Sequence, residues 1–177
     1  MASPDKPSSI PMGKGCTMNF KPSSTSHWTE VTYDGLPTSW IPSIPPHWHK
    51  HHAETMTVLT GTVHFTLNSQ PHILTPTSPP LHIPRLAVHS FTFVPGVATV
   101  LKESTEPEGE FKEVFFRTLL AEGGITLGSV GRACWEGDTY LAVAEGWLGR
   151  GLDEWATWIL ASAVRWWDGE TKIKKTA

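Results

Sequence analysis

Cysteine is almost missing from this chain. Cys16 and Cys134 are the whole complement; they lie far apart and in no motif, so they read as free thiols. Lone thiols suit a reducing compartment, and a cytoplasmic protein is expected. Cationic excess is missing too: 14 Lys and Arg stand against 17 Asp and Glu, a formal net charge of −3. Without a basic patch or polybasic run, nucleic acid and membrane surfaces are not expected as partners. No apolar run is long enough to cross a bilayer. The opening Met1-Ala2-Ser3-Pro4-Asp5-Lys6-Pro7 lacks the apolar stretch of a secretory signal. Neither Asn19 nor Asn68 stands in a glycosylation sequon.

What is present is unevenly spread. Eight of the nine histidines fall between His47 and His89, and six of the nine tryptophans between Trp135 and Trp167. A length of 177 residues suits one domain with a helical appendage. Residues 1–15, rich in Pro, Ser and Gly, are expected to form a disordered tail. Residues 16–46 hold β-like pieces such as His27 to Tyr33, broken by Pro22, Pro37, Pro42, Pro45 and Pro46, and predict an arm with one or two edge strands.

From residue 46 to about 103 the pattern is short strands and turns. Thr55 to Thr60 and Thr62 to Asn68 flank Gly61, and Val63, Phe65 and Leu67 alternate with polar residues. Leu81 to Pro84, Val88 to Val94 and Val97 to Lys102 continue the series. Such spacing predicts a sandwich or barrel. Beyond residue 107 the period changes. Phe111, Val114, Phe115 and Leu119 predict a helix ending near Gly123-Gly124, and Asp138 to Trp147 and Asp153 to Trp167 are expected to be helical as well.

The chemistry concentrates in the histidine-rich middle. In an extended strand alternate side chains share a face, so His47 and His49 point the same way with Cα atoms about 6.8 Å apart. Glu54 follows on a return strand, and His89 comes from a separate one. Three imidazoles and a carboxylate form a borderline ligand set that suits one divalent transition metal (Fe, Mn, Co, Ni, Cu or Zn) rather than Ca or Mg. His82 is the reserve ligand. His51 and His52 are expected to be spare, near the site mouth. His64 reads as a surface residue and His72 as a loop residue. Met56, Phe65 and Phe91 are the apolar neighbours expected at the ligands, and Trp40 is a candidate wall of the mouth; these four are the candidate substrate contacts.

The stretch His47-x-His49-x4-Glu54-x6-Gly61 resembles the first motif of the cupin superfamily, and Pro84-x4-His89 resembles its second. Three positions depart from the pattern: Ile41 and Leu86 stand where glycines are usual, and Phe93 where asparagine is. The Pro-rich run before His47 is also similar to that of small fungal cupins of secondary metabolism. The resemblance implies a mainly β chain: a jelly-roll cupin β-barrel over residues 16–110, with a C-terminal helical segment over 111–177 packed on it. It implies His47, His49, Glu54 and His89 as metal ligands, and a homodimer.

Three functions are in play. The first is a cupin oxygenase (a dioxygenase-type oxidoreductase) acting on a small, apolar, oxygenated, polyketide-like molecule. The second is a non-redox isomerase, cyclase, dehydratase or decarboxylase in which Glu54 leaves the metal to act as the catalytic base. The third is a binding module with a structural metal. Lys50 and Arg85 are the only cations near the motifs, which argues against phosphorylated sugars.

Overall fold

The computed structural model describes residues 7–22, 27–121, 125–143 and 149–162. Eleven strands and three helices are assigned among them. They are β1 (Ser9–Gly13), β2 (Cys16–Pro22), β3 (His27–Tyr33), β4 (Ser43–Trp48), β5 (Ala53–Thr60), β6 (Val63–Leu67), β7 (Gln70–Leu74), β8 (Leu81–Ile83), β9 (His89–Phe93), β10 (Thr99–Glu106), α1 (Phe111–Leu119), α2 (Leu127–Glu136), β11 (Tyr140–Leu141) and α3 (149–162).

Two antiparallel sheets face each other. One has the order β1-β2-β3-β10-β5-β8 and the other β11-β4-β9-β6-β7. Among the eight strands β3 to β10, every step but β6 to β7 crosses between sheets, so that first pairs with eighth, second with seventh, third with eighth and sixth, and fourth with fifth and seventh. That is the double Greek key of a jelly roll. Period-two patterning drives it. On β10, Thr99, Leu101, Glu103 and Thr105 are buried while the residues between them are not, and on β5 the same holds for Glu54, Met56 and Val58. The inward residues form one core of Met18, Val31, Tyr33, Met56, Phe65, Phe91, Phe93, Leu101 and their neighbours. Gly61 makes the β5–β6 turn at φ 81°, with Ala98 O and Thr99 Oγ1 too close for any side chain.

Several expectations are corrected. Ser9–Gly13, placed in a disordered tail, is an edge strand: β2 supplies its hydrogen-bond partners, and Ile10 and Met12 pack on the core. The supposed arm is part of the sheet, since β3 lies between β2 and β10 with Val31 and Tyr33 buried. Its prolines fall at a strand end, in the 34–42 connection and at the register shift of β4. The helix expected from Asp138 is not formed: Asp138 has φ 52°, and Tyr140–Leu141 is a strand against β4; residues 144–148 lie outside the described ones. Helix α2 was not foreseen. It starts at Thr126, whose side chain accepts from Ser129 N while the Ser129 hydroxyl caps the Thr126 N–H. Of the last expected helix, residues up to 162 are described and helical.

The helices close one end of the roll. Phe116 of α1 enters the core, and Gly131 of α2 meets Leu160 of α3 so closely that a methyl group there would clash. Both cysteines are buried free thiols, Cys16 pushed up to about 12 and Cys134 to about 11, by burial above all.

Candidate metal centre

The register of the sheets brings the four expected ligands together. His47 on β4 lies opposite His89 at the start of β9, and Glu54 opens β5 opposite Ile83 and Thr105. His49 follows the end of β4 and shares a face with His47, leaving Trp48 to point the other way. All four are at most 3% exposed, so the carboxylate has no water to solvate it. One ligand atom from each lies within 4.8 Å of those of the others. Glu54 Oε1 is 3.2 Å from His49 Nε2, and Oε2 is 3.1 Å from His89 Nε2.

The tautomers are set from behind. His47 Nδ1 is 2.8 Å from Pro45 O, His49 Nδ1 2.7 Å from Asp138 O, and His89 Nδ1 3.1 Å from Ala87 O. A carbonyl only accepts, so each Nδ1 carries a proton and each ring turns its Nε2 into the cluster. Burial, with lesser repulsion from His89 and His49, holds His47 well below the usual histidine range, and burial lowers His49 too. Inside the site, His49 Nε2, His89 Nε2 and both Glu54 oxygens complete no hydrogen bond of normal geometry. Three inward imidazole nitrogens and a carboxylate converging in a buried cluster fit a cation, and the N3O donor set fits a divalent transition metal.

Around this cluster stand four residues that sequence reasoning missed or misplaced. His52, expected to be spare at the mouth, is buried. Its Nδ1 is 2.8 Å from Asp138 Oδ2 and its Nε2 3.6 Å from Glu54 Oε1. Burial alone would lower this imidazole, but Asp138 and Glu54 outweigh it and raise it. Asp138 holds the whole 49–52 turn: its carbonyl meets His49, and its carboxylate accepts from Lys50 N, His51 N and His52. Lys112 of α1 reaches down with Nζ 2.5 Å from Glu54 Oε1 and 3.2 Å from Glu103 Oε2. The view that Lys50 and Arg85 are the only nearby cations is thereby corrected. Burial raises Glu54, yet His49 and Lys112 bring it well below the carboxylate range; for Glu103 burial prevails and the net shift is upward. Of the three that were missed outright, only Glu103 left a trace in the sequence, as a carboxylate in phase with Leu101 on the inner face of β10.

The other candidates divide. Met56 and Phe91 share the inner faces of their strands with Glu54 and His89, and Phe91 packs on Phe65 with ring centroids 5.1 Å apart. All three belong to the buried core. Trp40 does not join them. It packs over Gly13 in the 34–42 connection, at the end of β3 and β10 marked by the Tyr33–Thr99 pair, whereas Glu54 pairs with Thr105 at the other end. His82 is exposed on β8 and is no reserve ligand; His51 and His64 are exposed, and His72 is half-buried.

Strand order and interior cluster define the class: a double-Greek-key jelly roll with a His3Glu group inside one end. No protein-family model matches the chain, and no curated protein does. Solved structures similar to it include KdgF from Halomonas sp., at 17% identity and TM-score 0.41, covering 50% of this chain and 76% of that one. An RmlC-like cupin from Shewanella frigidimarina shows 13% identity and TM-score 0.43, with 58% and 86% covered. The polyketide cyclase RemF from Streptomyces resistomycificus shows 23% identity and TM-score 0.40, with 52% and 66% covered. No helix among the described residues is long and apolar enough to cross a membrane.

Proposed function

We propose that this protein is a metal-dependent enzyme that moves a proton on a small, largely apolar, oxygenated molecule, in the manner of an isomerase, cyclase, dehydratase or decarboxylase. The observation that carries this reading is the company of Glu54, which meets both His52 and Lys112 besides the ligand histidines. A metal held by His47, His49, His89 and Glu54 would supply Lewis-acid polarisation of a carbonyl or enol oxygen. The chain supplies the proton handling. Glu54, kept ionised, is the acceptor. His52, oriented by Asp138, lies within reach to relay the proton away, and Lys112 adds positive charge for an ionisable substrate oxygen. Met56, Phe65 and Phe91 form the apolar wall behind the ligands and exclude water.

The oxygenase remains a second reading because the same N3O set suits redox-active metals. Two measurements separate the possibilities. Metal analysis of protein purified without chelators is expected to find about one transition metal per chain, and turnover on enolisable polyketide-like substrates is expected to persist under strict anaerobiosis. Glu54→Gln is expected to lower that turnover at least about 100-fold, the scale of a general base, with the circular dichroism spectrum unchanged. Turnover that stops without oxygen would transfer the assignment to the oxygenase.

A further inference from the structure

Two buried carboxylates share one half-buried ammonium at this site. Glu54 and Glu103 are 1% and 2% exposed, and Lys112 bridges them at 2.5 and 3.2 Å. They project inward from neighbouring strands, since Glu103 pairs with Met56, two residues along β5 from Glu54. If Glu54 is a metal ligand, the ion takes over the neutralisation of its charge, and Lys112 is not needed there. Glu103 is needed for Lys112. A half-buried ammonium deprived of its carboxylate beside a divalent cation would be both unpaired and repelled. One carboxylate too many for the lysine is the right number for the lysine and a metal together.

We propose that Lys112 is an exchangeable counter-cation: it neutralises Glu54 while the site is metal-free and passes to Glu103 when a metal arrives. This rests on the metal reading of the His3Glu cluster. Lys112 already touches both partners, so the transfer requires only a side-chain adjustment within α1's first turn. The lysine thereby competes with the metal and limits affinity, and Glu103 relieves that competition.

The test is Co(II) titration of the chelator-treated full-length protein, followed by visible absorption, on the wild type, Lys112→Met and Glu103→Gln. Lys112→Met is expected to bind Co(II) about tenfold more tightly, the effect of removing one nearby positive charge, and Glu103→Gln about fivefold more weakly. A merely structural salt bridge would make both variants weaker. Unchanged or weaker binding by folded Lys112→Met overturns the exchange. If that variant does not fold, Lys112→Gln, which keeps a polar end without the charge, takes its place with the same expectation, and wild-type or weaker affinity there overturns the exchange equally. Absence of any Co(II) uptake by the wild type would overturn the metal centre and the exchange together, whereas uptake in the wrong order overturns the exchange alone.

Discussion

Asp138 shows how much one residue can organise. It touches four consecutive residues, 49 to 52, through a backbone bend in the left-handed region. Its effect on a bound metal would be indirect: the backbone carbonyl orients His49, while the carboxylate orients His52 and holds the 50–52 turn behind His49. Asp138→Ala removes only the carboxylate and is expected to weaken metal binding about 10-fold, the lower end of the usual scale for residues behind ligands, as read by chelator competition. Leu86 is the converse case. The cupin pattern has glycine there, and this chain keeps the glycine geometry without the glycine: Leu86 sits at φ 66° and half-exposed. Its N–H donates to His49 O and its carbonyl accepts from Arg150 Nε, which fixes the strained bend. Leu86→Gly is expected to be neutral or to stabilise by up to about 1 kcal/mol, and Leu86→Val to destabilise by about 1–3 kcal/mol, both measured by urea denaturation. The motif thus revealed the turn even where the residue type departed from it.

At the level of elements, the ligand-bearing strands were legible because local patterns determine them. Period-two alternation marks β5, β6 and β9, and the motif spacing marks the ends where His47, Glu54 and His89 sit. What was not legible was any element whose place depends on a distant partner. β11 is two residues long and exists because the edge of β4 needs pairing. Lys112 looked like the polar face of an amphipathic helix, and nothing nearby in sequence says that this face covers two carboxylates. The 149–162 helix is tied to the site by Asp153, which accepts from Trp48 Nε1 at 3.0 Å and from Val143 N at 3.0 Å. Tyr140 stacks on the same indole at 4.5 Å. Because Trp48 is fully buried, Asp153→Ala strands an indole N–H. A loss of about 1–3 kcal/mol is expected in thermal or urea unfolding, whereas Asp153→Asn, which keeps an acceptor, should lose less.

Taken whole, the molecule is a jelly roll whose two ends differ. The Tyr33–Thr99 end is packed with core side chains, while the Glu54–Thr105 end holds the ionisable cluster and is covered by residues from the last third of the chain. The sequence exposed that division only as a histidine-rich middle and a tryptophan-rich end; that the second closes over the first required the fold. The arrangement has a temporal consequence. Chains are made from the N-terminus, and domains fold as their parts emerge. All four ligands are synthesised by residue 89, whereas Lys112, Asp138 and Asp153 come later. A ribosome-bound chain that has just presented His89 holds every candidate metal donor but no Asp138 to orient His49 and no β10 to join β3 to β5. Metal uptake is therefore expected only once the later residues are in place, and an arrested nascent chain ending at residue 125 is expected to retain less Co(II) after gel filtration than the released 177-residue protein.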